Sequence, residues 1–178
     1  MNRSLIANRY ASALFKLASE QGNLEQVNND IILLKSYCDE AEGFIELLNS
    51  PVIKPQQKKD SLHSVLEKRV QNSTMSFIDL LINNNREVLL EDIIRGFISL
   101  FKKEKGIKAV TLYSAIELDQ QQVDGLMQFL RKQFNSPIEL ILKVDPALLG
   151  GFKLTIDGKM ADASLSSKLK NIKKQLLS

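Results

Sequence analysis

The 178-residue sequence has few of the residues from which active sites are usually built. It contains no tryptophan, one cysteine (Cys38) and one histidine (His63). A single cysteine excludes an internal disulfide framework and a cysteine-based metal site, and we interpret Cys38 as a small, partly buried apolar residue. One histidine and one cysteine on different predicted helices do not form a Ser/His/Asp or Cys/His arrangement. The sequence therefore predicts no catalytic residue, no metal site and no cofactor.

Long apolar runs, nucleotide loops and a strong basic excess are also missing. No stretch of about 18 apolar residues occurs, and the N-terminus lacks the apolar core of a signal peptide. Gly150-Gly151 belongs to no phosphate-loop motif, so we interpret the pair as a turn. Lys and Arg number 24 against 21 Asp and Glu, which gives a net charge of only +3. We therefore expect a chain that is neither secreted nor membrane-spanning, and that is not a dedicated nucleic-acid binder.

Apolar residues recur at helical spacing over the first hundred residues. The spacing predicts helices over 4–21, 24–39, 44–48, 55–70, 75–82 and 87–105, with Ser73 and Thr74 as caps of the fifth. After Gly106 the pattern becomes β-rich, with strands predicted over 107–113, 138–144, 152–156 and 159–161. A helix is predicted to start near Asp119, a hairpin turn at Asp157-Gly158, and a last helix around 162–164. The chain is thus predicted to be mainly α and to have two domains, 1–105 as a helical bundle and 106–178 as a small α+β domain.

Two of the predicted helices carry more apolar surface than one core requires. In the first helix the apolar residues cover an arc of roughly 200°, about twice a minimal one-sided stripe. In the fifth, the apolar residues from Met75 to Ile82 face nearly every direction. Two explanations stay open: each helix is wedged deeply in its own bundle, or each has a second face that receives a partner.

Two alternative functions rest on other residues. Lys168, Lys170, Lys173 and Lys174 give the last predicted helix a basic side, which would suit a nucleic-acid-associated protein. No reader motif accompanies it, so a solvated face is favoured. His63 would be the residue of a small hydrolase, but without a second ligand or base near it we interpret it as an ordinary helix residue.

One segment near the C-terminus forms a recognisable signature. It consists of Asp145-Pro146-Ala147-Leu148-Leu149-Gly150-Gly151-Phe152, followed by Ile156, Asp162, Ser164, Leu165 and Leu169. The first helix adds Tyr10-Ala11, Leu14-Phe15 and Ala18, and the fifth adds Leu80-Leu81 with Asn85 and Arg86 beyond it. On these residues the chain resembles, over essentially its whole length, the delta subunit of the F-type rotary ATP synthase. The mitochondrial counterpart of that subunit is the oligomycin-sensitivity-conferring protein.

The resemblance implies a fold and a set of partners. It implies a six-helix N-terminal bundle, a C-terminal α/β domain, and a non-catalytic place in the peripheral stalk (stator), one copy per complex, without nucleic acid or cofactor. In the family, helices one and five form the groove for the N-terminal helix of an alpha subunit, and the C-terminal domain meets the C-terminal region of the b subunit. The groove would here include Tyr10, Ala13, Leu14, Leu17, Phe77, Leu80 and Leu81, while Asp145, Pro146, Gly150, Gly151, Asp162, Ser164 and Leu169 would be structural.

The expected location follows from the same resemblance. The match begins almost at Met1, which leaves no room for an organelle transit peptide. We therefore expect a bacterial protein on the cytoplasmic side of the inner membrane, held at the membrane only through the ATP synthase complex.

Overall fold

The computed structural model describes residues 3–146, 148, 152–156 and 159–162, without the side chains of Glu42 and of 159–162. The chain divides into two compact units, Met1–Phe101 and Lys102–Ser178. The hairpin turn at 157–158, the structural roles of Gly150, Gly151, Ser164 and Leu169, and the basic last helix lie outside the described residues. Asp162, predicted near the start of that helix, ends a strand opposite Lys153.

Helices account for nearly all of the first unit. They are α1 (Arg3–Glu20), α2 (Leu24–Glu40), α3 (Glu42–Asn49), α4 (Pro55–Leu66), α5 (Asn72–Asn83) and α6 (Leu90–Glu104), which continues into the second unit. A 3₁₀ turn, Glu87–Leu89, precedes α6, where the sequence predicted one continuous helix. Pro55 begins α4, as predicted from its fixed φ angle and its missing N–H. The prediction of six helices is confirmed, with bounds that shift by a few residues.

One face of each long helix supplies the core of the first unit. The core side chains that are at most 2% exposed are Ala7, Ala11, Leu14, Ala18, Val27, Ile31, Leu34, Leu48, Leu62, Leu66, Ile78, Leu81, Ile82, Leu90, Ile93, Ile94 and Phe97. The small residues of α1 let α6 come close to it. At Gly96 of α6, an added Cβ would lie 3.0 Å from the Cβ of Ala11. A glycine therefore fits this helix crossing, where a methyl group would crowd the neighbouring helix.

Buried polar groups connect helices that are distant in sequence. The Oδ2 atom of Asp30, on α2, accepts hydrogen bonds from the Gln71 backbone N–H at 2.8 Å and from the Thr74 hydroxyl at 2.6 Å. The prediction that Ser73 and Thr74 cap α5 is therefore wrong. Gln71 occupies the N-cap position, and a carboxylate from another helix satisfies its N–H.

A second buried contact is ionic. Lys58 donates to Glu87 Oε1 and to the carbonyl of Leu48, each at 2.7 Å, and both charged side chains are less than a tenth exposed. The ammonium group thus joins α4, the end of α3 and the 3₁₀ turn.

The second unit contains a mixed sheet crossed by one helix. Its strands are β1 (Lys108–Ser114), β2 (Ile138–Val144), β3 (Phe152–Ile156) and β4 (Lys159–Asp162), in the order β2-β1-β3-β4. β1 is parallel to β2 and antiparallel to β3, and β3 is antiparallel to β4. Parallel neighbours require a crossover, and α7 (Gln120–Phe134) supplies it between β1 and β2. The predicted small α+β fold is confirmed.

Local signals explain where α7 begins and what it covers. The Asp119 carboxylate accepts from the Gln122 N–H at 2.7 Å, and the Gln122 side chain accepts from the Asp119 N–H at 3.0 Å. This reciprocal capping box starts the helix where the sequence predicts it. Leu130 of α7 is buried against Val110 of β1 and Ile138 of β2, which form the core of the second unit.

Candidate functional site

Helices α1 and α5 lie side by side and run antiparallel. Near the middle of both, the rings of Tyr10 and Phe77 pack edge to face, with centroids 6.2 Å apart at 70°. Arg86, beyond the end of α5, lines a cavity together with residues of the first half of α1. Gln21, just beyond the end of α1, lines a second cavity together with the start of α5. A cavity therefore lies at each end of the contact between the two helices.

The apolar residues of α1 fall into three groups that face different parts of the structure. At about 100° per residue, Ala7, Ala11 and Leu14 form the buried face. Phe15 lies to one side, where its ring packs against Phe97 of α6 at 5.8 Å. The other side carries Ile6, Tyr10, Ala13 and Leu17, and it points toward α5. Of these, Ala13 is exposed and Leu17 is 40% exposed. The surplus apolar surface thus lies on the α5 side of α1.

The two edges of α5 face different helices: one faces α4 and the other faces α1. Asp79 lies toward α4, where its carboxylate oxygens are 3.1 and 3.2 Å from Nε2 of His63. Phe77 lies toward α1, and Leu80 follows on that edge with 47% of its surface exposed. We call the surface formed by Ile6, Tyr10, Ala13, Leu17 and Leu80 the α1–α5 groove.

The seven residues predicted for the groove fall into two groups. Leu14, Phe77 and Leu81 are core residues, exposed by 1%, 7% and 1%. Tyr10 is half-buried, whereas Ala13, Leu17 and Leu80 are exposed. Tyr10 and Phe77 are in direct ring contact between the two helices, and only the second group offers substantial surface. The assignment of these residues to a partner stays a prediction.

Sequence reasoning missed the charged end of this groove. A cavity of about 420 Å³ is lined there by Ile6, Arg9, Tyr10, Ala13 and Arg86. Asn85 adopts a left-handed conformation with φ of 52°, and the Arg86 N–H donates to the Leu81 carbonyl at 2.8 Å. This turn ends α5 and sets the position of Arg86. The sequence did contain a signal for Arg9, because its spacing from Ile6 and Ala13 places all three on the same side of α1.

The opposite end of the groove is polar and neutral. Its cavity has a volume of about 490 Å³. The lining residues are Gln21, Asn23, Val70, Gln71, Asn72, Ser73 and Ser76. One end of the groove thus carries two guanidinium groups, and the other carries only amides, hydroxyls and an isopropyl group.

The described residues contain neither a reactive thiol nor a cluster of metal ligands. Burial raises the pKa of the Cys38 thiol to about 11, and the carboxylates of Glu91 and Asp39 add to the effect. A thiol with this pKa is almost fully protonated at neutral pH. Across the described residues, no group of three or more His, Cys, Asp or Glu side chains could hold a metal ion. No helix in the same part of the chain is long and apolar enough to cross a bilayer.

The second unit exposes apolar residues at one end of its sheet. Ser114, the last residue of β1, has Val144 as its register partner on β2 and Phe152 as its partner on β3. Val144 and Phe152 are 49% and 46% exposed, and Leu142, two residues before Val144, is 44% exposed. Asp145, from the signature segment, extends this row because its N–H donates to the Ser114 carbonyl at 2.8 Å. Pro146 follows it on the surface.

Comparison with known proteins identifies the family. The family model described as "ATP synthase delta (OSCP) subunit" matches residues 6–176. The chain belongs to this family. The ATP synthase subunit delta of Lactobacillus johnsonii is 34% identical over 99% of this chain and 97% of its own length. The chloroplastic ATP synthase subunit delta of Cyanidium caldarium is 31% identical over 96% of this chain and 93% of its own.

A solved structure supports the fold. A chain in the cryo-EM structure of the Toxoplasma gondii mitochondrial ATP synthase hexamer matches with a TM-score of 0.78 and 23% identity, and the match covers 97% of both chains. As a member of the delta/OSCP family, the protein is a non-catalytic subunit of the peripheral stalk of the F-type ATP synthase. It therefore serves ATP synthesis and proton transport as part of the stator.

Proposed function

We propose that the helical N-terminal domain, residues 1–105, binds the amphipathic N-terminal helix of the alpha subunit in the α1–α5 groove. The small α+β domain, residues 106–178, contacts the C-terminal region of the b subunit. One copy of the chain then links the catalytic head to the stalk at the cytoplasmic face of a bacterial inner membrane. The bacterial relatives support this location.

The exposure of Leu17 and Leu80 is the observation that carries the first contact. Both are large aliphatic side chains, 40% and 47% exposed, and they lie on the facing edges of two adjacent helices. An amphipathic helix laid along such a groove buries its apolar anchors between the two walls. The half-buried ring of Tyr10, held by Phe77, provides an amphipathic floor.

A stator contact must resist dissociation under repeated load, which requires high affinity. A nanomolar dissociation constant corresponds to about 12 kcal/mol of binding free energy. Exposed ion pairs contribute roughly 0–1 kcal/mol each and do not reach that value by themselves. We therefore expect the apolar residues of the groove to supply most of the affinity.

The apolar end of the sheet supports the second contact. Val144, Phe152 and Leu142 together expose a row of large side chains at one end of the described sheet. Surfaces of this kind are typical of protein-protein contacts. Val144→Glu is expected to reduce capture of the C-terminal region of b by the full chain. Unchanged capture would place the b contact elsewhere.

Calorimetry with a peptide of the alpha N-terminal segment tests the first contact. Leu80→Asp is expected to weaken binding at least tenfold, because a carboxylate would then be desolvated in the groove. Val65→Asp is the matched control, since Val65 is an aliphatic helix residue of 46% exposure on α4, away from the groove. Both variants are expected to keep the melting temperature of the wild type within a few degrees. Equal affinities for Leu80→Asp and Val65→Asp would refute the groove.

The nucleic-acid alternative makes a different prediction. It predicts salt-dependent binding to DNA or RNA. The alpha N-terminal peptide would not displace the bound nucleic acid. Family membership favours the stator role, and we expect no such affinity at physiological salt.

A further inference from the structure

Arg9 and Arg86 lie at one end of the α1–α5 groove and make no ion pair with any described residue. Both are exposed, and within the described residues neither lies within 4.0 Å of a carboxylate. Some other cations of the first unit do have such partners: Arg3 pairs with Asp92 at 3.4 Å and Lys16 with Glu20 at 3.7 Å.

The surroundings of the two guanidinium groups favour a carboxylate ligand. Ile6, Tyr10 and Ala13 line the same cavity, so a group bound there would lose part of its water. A guanidinium presents planar donors that match the two oxygens of a carboxylate, and such charge-assisted hydrogen bonds are stronger than neutral ones. Arg9 belongs to α1 and Arg86 follows α5, so the two charges come from both walls of the groove.

The charge of the groove is asymmetric along its length. The cavity at the other end is lined by neutral side chains such as Gln21, Asn72 and Ser73. An apolar stripe on a docked helix makes similar contacts whichever way the helix points, whereas a charge placed at one end distinguishes the two directions.

We propose that Arg9 and Arg86 together bind an aspartate or glutamate side chain of the docked helix, and that this contact fixes the direction in which the helix lies. The proposal rests on the proposed function, because the docked helix is the N-terminal helix of the alpha subunit. The ligand is a carboxylate at the edge of that helix's apolar face.

Removal of each arginine from the full chain tests the contact. Arg9→Ala and Arg86→Ala are each expected to weaken binding of the alpha N-terminal peptide about tenfold, as loss of a hydrogen bond to a charged group implies. Arg69→Ala is the matched control. This substitution removes the same charge, but Arg69 lies on the α4 side of α5. Its guanidinium donates to the Tyr37 hydroxyl at 2.7 Å. Its affinity is expected to equal that of the wild type.

The peptide supplies the second half of the experiment. Each acidic residue is changed in turn to its amide, and one change is expected to weaken binding to the wild type about tenfold. The same change is expected to have little further effect on Arg86→Ala, which identifies the two groups as partners.

Paramagnetic broadening of NMR signals measures the direction of the docked helix. A paramagnetic tag on the peptide end nearer that acidic residue is expected to broaden the NMR signals of Ile6 and Asn84. A tag on the far end is expected to broaden those of Gln21 and Asn72. In Arg9→Ala/Arg86→Ala, each tag is expected to broaden both sets.

The outcomes separate the two proposals. If the wild type binds no alpha peptide, both the groove assignment and this inference fail. If the wild type binds tightly and both arginine variants bind within twofold of it, the groove stands and this inference is wrong. A tag that broadens both sets of signals in the wild type would overturn the directional part.

Discussion

Tyr10 of α1 packs edge to face on Phe77 of α5, and this ring pair closes the floor of the groove between the two helices. The centroids lie 6.2 Å apart, a geometry in which the positive ring edge meets the negative ring face. Phe77 is 7% exposed, while Tyr10 keeps part of its surface open to solvent. A residue of the core and a residue of the candidate binding surface are thus in direct contact.

Leu80 and Leu81, adjacent in sequence, are expected to have opposite roles. Leu81→Ala should lower the free energy of unfolding by about 2–5 kcal/mol, because the side chain is 1% exposed and its removal leaves a cavity. Leu80→Ala should change it by about 0.5 kcal/mol or less, because the side chain is 47% exposed. Urea denaturation measures both. Equal losses of stability would show that Leu80 belongs to the core.

Gly96→Ala is expected to destabilise the first unit by about 1–3 kcal/mol, although alanine favours helices. The new methyl would lie 3.0 Å from the Cβ of the fully buried Ala11, so the two helices would have to move apart by a few tenths of an ångström. Thermal melts of Gly96→Ala and of Gly96→Ala/Ala11→Gly check the cause. The second substitution removes the opposing methyl, so it should recover part of the loss. No recovery would place the strain elsewhere.

Lys58 and Glu87 should show strong coupling. Lys58→Met alone is expected to cost about 3–5 kcal/mol, because it leaves a buried carboxylate without its cation. Lys58→Met/Glu87→Leu should be more stable than either single variant, since both charges are then absent. Chemical denaturation of the three variants gives the coupling energy. Additive effects would mean that the ion pair contributes little.

Cys38 should resist alkylation in the folded chain. Burial raises the pKa of its thiol from 9.0 to about 11, so the reactive thiolate is scarce at pH 8. Iodoacetamide is expected to react much more slowly with the native chain than with the chain in urea. The native rate should keep rising to about pH 11. Equal rates at pH 8 would contradict the buried thiol.

The raised pKa of Cys38 also makes the free energy of unfolding depend on pH. Between pH 9 and about 11 the unfolded thiol releases its proton while the folded one retains it. The unfolded state then binds fewer protons, so stability falls as pH rises through this window. Cys38→Ala should remove this part of the decline, which urea titrations at pH 8.5 and 10.5 would measure.

The helices and strands were predictable because their signals are local. Gly106 marks the change of pattern after α6, Pro55 begins α4, and Asp119 with Gln122 forms the capping box of α7. The start of α5 was not predictable in the same way, because its cap comes from Asp30, 41 residues before Gln71. A polar contact between residues so far apart in the sequence cannot be predicted from the spacing of neighbouring residues.

The candidate site was only partly predictable for a related reason. Helical phase identified α1 and α5 as carrying surplus apolar surface. It could not show that Leu14 and Leu81 belong to the core while Leu17 and Leu80 stay exposed, because burial depends on which neighbour each edge meets. Arg86 was named only for the family resemblance and not as a residue of the groove, because its position depends on the left-handed turn at Asn85.

The position of β2 in the sheet has a consequence for the chain before it joins its complex. In the described sheet β2 pairs with β1 alone, so its outer edge offers unpaired N–H and C=O groups. Ile141, Leu142 and Val144 expose apolar side chains along this strand. An apolar edge strand of this kind templates pairing with a second copy, and the charges of Glu139 and Lys143 oppose it only in part. Chain made in excess over the other subunits is thus expected to aggregate, and to do so from this edge.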